Sequence, residues 1–340
     1  MASQSDVPLS MASCSFKFSK HTLPQKIEAI AQAGFKGIEM ALQDVVSFTS
    51  SHQGREVGST DYDALCDGAA QIAKLCEANG VKITLLHFFG SFEGYPEGSP
   101  EREEAFASAR GWIRIMEALG TDTIEIGSSI EDNITSSVRE QARDLADLAD
   151  MLAQKGFRLT YENRCWATNA PKWKDIWAIA QAADRPNIGL CLNTFQTAGS
   201  EWADPTTESG HIESGGISKA ELDKRFRTSL QELTSTIPRD KIFNFRISDA
   251  YRMSPPLKNE QATTGVRPRA EWSHSHRPLP YDGGYLPIAS VAEAVLATGY
   301  RGWTCVEVFE GQFQKKYGDD LHKFTRQAKN GCVKLLKCIK

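Results

Sequence analysis

Among its eight cysteines the sequence has no CxxC pair, and none of the spacings of a disulfide framework or a zinc-finger site. Cys14, Cys165, Cys191 and Cys305 fall in apolar, strand-like runs, where a thiol packs as a small hydrophobe, so a reduced, cytoplasmic protein is expected. No apolar run approaches the roughly 18 residues that span a bilayer, and the start, MASQSDVPLS, has neither the basic nor the apolar part of a secretory signal. Positive charge is not in excess: 39 Lys and Arg face 43 Asp and Glu, a net charge of −4. A nucleic-acid binder leans the other way, and seven histidines are few for the multinuclear metal site of an abasic-site nuclease. No GxGxxG follows the first strand-like run, which argues against an open dinucleotide-binding sheet.

What is there is an ordinary globular composition, 41% hydrophobic and 24% charged over 340 residues. Strand-like runs sit near 12–18, 36–41, 81–87, 122–127, 157–162, 187–193, 241–247 and 302–309. Apolar stripes at helical spacing lie between them, as in Leu65, Ala69, Ile72 and Cys76, or Val138, Ala142, Leu145, Ala149 and Leu152. A weak repeat, AGFKGIEM (33–40), KGFRLTYE (155–162) and TGYRGWTCVE (298–307), places a glycine where a helix ends and a strand begins. Eight such units without a linker predict one (β/α)8 barrel over residues 1–340, with 1–10 as a flexible tail. Joins after the strands are long, at 43–60, 88–100, 194–217 and 248–286, while joins before them are short. That asymmetry predicts a pocket at the C-terminal ends of the strands.

Side chains alternate along a strand, and the outward face of a barrel meets helices and is apolar. Leu159 and Tyr161, Leu190 and Leu192, Phe243 and Phe245, and Val306 and Val308 therefore point outward. The same register sends Glu39, His87, Glu125, Glu162, Asn193, Arg246 and Glu307 to the interior near its mouth. Buried charges cost several kcal/mol each unless paired or coordinated. Four Glu around one Arg are therefore a candidate active site; the alternative is a set of ion pairs that locks the barrel mouth. The 252–277 loop carries Arg252, Lys258, Arg267, Arg269 and Arg277 against Glu260 and Glu271, which suits an anionic small-molecule substrate. Arg269, Trp272 and Arg277 are candidate binding residues there, Tyr95, Tyr281 and Trp272 a candidate aromatic lid, and His274 and His276 a weak candidate metal pair.

YENRCW (161–166), GLCLNTFQTAGSEWADP (189–205), FRISDA (245–250), EWSHSHRPLPYDGGYLP (271–287) and GWTCVEVF (302–309) together resemble the fungal 3-dehydroshikimate dehydratases of the xylose-isomerase-like barrel superfamily. The resemblance implies proton abstraction α to a ketone and loss of water from a carboxylated ring. It also implies one divalent ion (Mn, Mg, Co or Zn) held by Glu, Asp, His or Gln, and Glu at the ends of strands five to eight. Glu162 and Glu307 match that set; the Asp position is Asn193 and the His or Gln position is Arg246. A guanidinium has no lone pair to give and keeps its charge, so the expectation is a site without a cofactor. Were a metal present, its ligands would be Glu162, Asn193 and Glu307. In this reading Arg246 is the electrophile, Glu162 or His87 the general base, Glu307 a catalytic partner, and Asn193, Glu39 and Glu125 contact substrate. The superfamily also contains isomerases and epimerases of other rings and sugars, and a non-catalytic binding protein is a further alternative. Its barrels commonly associate, so a homo-oligomer is expected; neither nucleic acid nor membrane is an expected partner.

Overall fold

The structure is a computed structural model that describes residues 7–88, 90–259 and 261–339. Eight parallel strands close into a barrel: β1 (Leu9–Ala12), β2 (Gly37–Ala41), β3 (Lys82–Phe88), β4 (Thr123–Gly127), β5 (Arg158–Glu162), β6 (Ile188–Asn193), β7 (Ile242–Ile247) and β9 (Thr304–Val306). A small antiparallel pair, β8 (His276–Arg277) with β10 (Phe309–Glu310), lies outside it. Helices cover the barrel wall, and Leu159, Tyr161, Leu190, Leu192, Phe245 and Val306 are all buried against them. The repeat glycines do what the pattern implied: Gly34, Gly156 and Gly299 take left-handed φ of +85°, +72° and +91° before the chain enters the next strand. No helix among the described residues is long and apolar enough to cross a membrane.

Three expectations need correction. The first strand is Leu9–Ala12, not 12–18, so Leu9 and Ser10 are barrel residues rather than tail; residues 1–6 lie outside the described residues. Ser13–Phe16 curls into a 3-10 turn, because Ser13 Oγ accepts the Ala41 N–H at 2.9 Å and Ser15 Oγ the Val308 N–H at 3.1 Å. Those hydroxyls satisfy amides at the rim and turn the chain over the barrel mouth. The 43–60 segment is mostly helix, Leu42–Gln53, with Leu42, Val45 and Thr49 on its buried face and Gly54 ending it. Helices also occupy Thr194–Glu201 and Pro268–Ser275 within the other long joins.

Candidate active site

The strand register brings the seven inward residues together at one end of the barrel. β7 carries Arg246 level with Asn193 of β6 and Cys305 of β9, and β4 sets Glu125 level with His87 of β3. Arg246 is 0% exposed and stands among four buried carboxylates. Its Nη2 lies 2.8 Å from Glu39 Oε2 and 3.2 Å from Glu125 Oε2. Its Nη1 lies 3.2 Å from Glu162 Oε1 and 3.5 Å from Glu307 Oε1. Asn244 Nδ2 completes Glu39 by donating to Oε1 at 2.6 Å. Arg277, brought by β8, ion-pairs with the other Glu307 oxygen, and its Nε donates to Ser248 Oγ at 2.7 Å.

A cavity of about 430 Å³ opens above this cluster. His87, Glu125, Glu162 and Glu307 reach it from below, and Cys14 from the curled segment after β1. Arg246, Glu39 and Asn193 do not line it; they lie beneath its floor, enclosed by their own partners. Arg246 therefore cannot touch a substrate as an electrophile, because its donors face the four carboxylates. Glu39, held by Asn244 and Arg246, and Asn193, held by Glu162, Glu307 and the Phe195 N–H, are likewise engaged below the cavity and do not reach a substrate in it. Arg269 is also displaced from its expected place: it donates to the carbonyls of Gly199 and Ala203 and pairs with Asp204, tying one loop to the helix at Pro268–Ser275. Trp272 is core, with Nε1 donating to Tyr251 O at 2.8 Å. Neither it nor Tyr95 or Tyr281 lines the cavity; among the described residues the tryptophan and phenylalanine in the lining are Trp166 and Phe309. Of the loop charges, Arg267 is taken by Trp166 O and Asp132, and Glu260 lies outside the described residues. His276 is held in β8 while His274 stands at the cavity rim beside Trp166.

Sequence reasoning missed Cys14, Lys17 and Arg164, which all line the cavity. The first two were hidden by reading 12–18 as a strand, although alternating serines in SCSFKFS signal side chains that bind backbone. Arg164 stands two residues after the strand-end Glu162, where a loop residue can turn back over the barrel.

Environment separates the carboxyls. Burial is the largest influence on Glu162; with Glu307 and Glu125 nearby it outweighs Arg246 and raises the group to about 7. Burial also acts on Glu307, but Arg277, Arg246 and His87 overcome it and hold the group down at about 2. Glu125 is likewise buried yet lowered by His87 and Arg246. His87 Nε2 is 2.7 Å from Glu125 Oε2, and its Nδ1 is 3.8 Å from Glu307 Oε1. One carboxyl poised near neutrality beside two that stay ionised is an acid–base arrangement.

The family described as xylose isomerase-like TIM barrel matches residues 27–328. This chain belongs to that family. Among curated relatives, the 3-dehydroshikimate dehydratase of Neurospora crassa is 31% identical over 317 residues, 88% of this chain and 84% of that protein. The Pseudomonas aeruginosa protein of the same name is 28% identical over 86% of this chain, which spans 37% of that longer relative. Among solved structures, a xylose isomerase-like TIM barrel/4-hydroxyphenylpyruvate dioxygenase fusion protein superposes at a TM-score of 0.72 with 24% identity, covering 97% of this chain and 43% of that one. The IolI protein with a bound zinc atom superposes at 0.71 with 15% identity, over 98% and 99% of the two chains. Both likenesses show the shared barrel.

An ion at the position implied by the dehydratase resemblance does not fit the residues present. Asn193 turns its amide N–H groups toward the carboxylates, 3.0 Å from Glu162 Oε1 and 3.3 Å from Glu307 Oε2. Its Oδ1, the atom a metal would need, accepts the Phe195 N–H at 2.9 Å and caps the helix Thr194–Glu201. The Arg246 guanidinium stands against the same two glutamates. Like charges at about 4 Å repel by roughly 4 kcal/mol at an effective dielectric of 20. A different donor group exists nearby: Cys14, His87 and Glu307 place ligand atoms within 4.8 Å of one another, the one such group found among the described residues.

Proposed function

We propose that this chain is a dehydratase of the 3-dehydroshikimate type that works without a divalent ion at the position its relatives would use. The reaction removes water from a carboxylated cyclohexenone ring. A base takes the proton α to the ketone, the C–H electron pair enters an enolate, and the β-hydroxyl departs with a proton as water. Loss of water from 3-dehydroshikimate and enolisation of the remaining ketone give aromatic 3,4-dihydroxybenzoate, with no oxidant or reductant consumed.

The observation that carries this reading is Glu162, buried, in contact with the cavity and raised to about 7. A carboxylate of that basicity is matched to proton abstraction near neutral pH. His87, held by Glu125, is the partner that returns a proton to the leaving hydroxyl. Arg246 is a positioning residue: it fixes Glu162 and Glu307 where the relatives would use an ion. The Arg277 guanidinium in the lining favours the negative charge of the enolate. The kinship with named dehydratases supports the substrate class.

The departures at 193 and 246 favour a second reading, an isomerase, epimerase or dehydratase acting on a related oxygenated ring. One assay separates the two. The purified protein is incubated with 3-dehydroshikimate in EDTA, and separately with Mn2+, Mg2+ or Co2+, and ultraviolet absorbance follows 3,4-dihydroxybenzoate. Turnover in EDTA that Glu162→Gln removes supports the proposal. Silence under every condition supports the second reading, and turnover only with added ion refutes the metal-independent mechanism.

A further inference from the structure

The cavity is electrically divided. Its floor holds Glu125, Glu162 and Glu307 with Glu39 beneath, against the two guanidinium groups of Arg246 and Arg277, a net charge of −2 when all four acids are ionised. Four basic side chains reach the cavity: Lys17, Lys26, Arg164 and Arg277. Two of them are neutralised, Lys26 by Asp44 at 3.0 Å and Arg277 by Glu307. Neither Lys17 nor Arg164 forms an ion pair within 4.0 Å among the described residues, although the Arg164 charge helps to lower Glu125.

Arg164 is the unusual one. The residue is 8% exposed, and its one side-chain hydrogen bond among the described residues runs from Nη2 to Gly90 O at 2.9 Å. Its backbone N–H is fixed by Ser128 Oγ at 2.8 Å. The guanidinium rests over Gly127, where a Cβ would come within 2.3 Å of Nε, so the floor is cut away for it. A buried cation without a directly bonded carboxylate is costly, and its fork of N–H groups matches a planar carboxylate. Lys17 and Arg164 both bear on His274 at the same rim, where burial and then these cations together with Arg277 lower its basicity. Lys17, Arg164 and His274 all line the same cavity, so both charges bear on a ligand held there.

We propose that Arg164 and Lys17 form a subsite for the carboxylate of a ring-shaped ligand, with Arg164 as the buried bidentate anchor and Lys17 as the exposed second charge. Held there, the ring turns its opposite edge toward Glu162 and His87. A monoanion is the ligand class, because the net negative floor opposes a phosphate dianion in the same cavity. The identity of the ring rests on the dehydratase reading; the anion preference does not.

Calorimetric titration of the full chain with 3,4-dihydroxybenzoate and with catechol, the same ring without its carboxylate, tests this. The acid is expected to bind about 10- to 100-fold more tightly, the range of a charge-assisted hydrogen-bonded contact. Arg164→Gln should erase that preference, Arg164→Lys should retain part of it, and Lys17→Ala should reduce it. If Arg164→Gln fails to fold by circular dichroism, Lys17→Ala on the exposed rim decides. Equal affinity for acid and catechol, no binding of either, or displacement of the acid by an equal concentration of inorganic phosphate overturns the proposal. So does an unchanged acid affinity in both Arg164→Gln and Lys17→Ala. An Arg164-dependent preference for the acid in a protein that does not convert 3-dehydroshikimate sustains the subsite while removing the dehydratase reading.

Discussion

Replacing Arg246 with glutamine leaves four buried carboxylates facing one another without their shared cation. Their oxygens lie 2.8–3.5 Å from the guanidinium in the native protein. At about 3.2 Å each attraction is worth roughly 5 kcal/mol at an effective dielectric of 20. Most of that offsets the desolvation of five charged groups, and removing one partner of a buried pair costs about 3–5 kcal/mol. With an unfolding entropy near 2 cal/mol/K per residue, a 340-residue chain should melt about 4–7 °C lower. The loss depends on pH. Without the cation the carboxyls ionise less readily in the folded state than in the unfolded state. Their contribution is then fully present below the unfolded value of about 4.3 and is lost as pH rises through the higher folded values. The variant should therefore be closer to the parent at pH 5 than at pH 8. Adding Asn193→Asp restores the ligand types that the resemblance implies, so Mn2+ or Zn2+ at 100 times its Kd should return about 2.7 kcal/mol. Differential scanning fluorimetry at both pH values, with and without the ion, reads all of this. An Arg246→Gln melting curve that coincides with the parent's at pH 8 would refute the claim that the guanidinium holds these acids together.

Glu162→Gln should abolish turnover of 3-dehydroshikimate with its circular dichroism spectrum unchanged, and activity surviving in it would reassign the base. In the parent, kcat/KM should fall as pH drops through about 7, because Glu162 takes up the proton there and stops acting as a base. Cys14→Ala tests the remaining donor group: a divalent ion retained by the purified parent through EDTA treatment and lost in the variant, by elemental analysis, would place it on Cys14, His87 and Glu307. Under the metal-independent proposal both proteins turn over equally in EDTA. Gly127→Ala should push the Arg164 guanidinium aside, lower stability by about 1–3 kcal/mol and weaken 3,4-dihydroxybenzoate binding; unaltered binding would show that Arg164 adapts without leaving its anchor.

The sequence by itself determined the barrel and which side chains enter it. Period-2 alternation with an apolar outer face leaves Glu39, His87, Glu125, Glu162, Asn193, Arg246 and Glu307 no direction but inward, and repeated helix-ending glycines mark the short turns. That logic ends at the strand. It orients a side chain across the wall but does not say how deep in the barrel the tip stops, so Arg246 and Glu162 looked equivalent although one lies under the floor and the other touches the cavity. Depth is set by stagger between neighbouring strands and by which partners fill the space first, and both are tertiary. The loops show the same limit. Arg269 and Arg277 carry the charge an anion site calls for, yet carbonyls and carboxylates distant in sequence already engage them, while Lys17 and Arg164, inconspicuous in the chain, are left facing the cavity. Local periodicity reports which face is apolar; whether a charge is neutralised depends on what long-range packing places beside it.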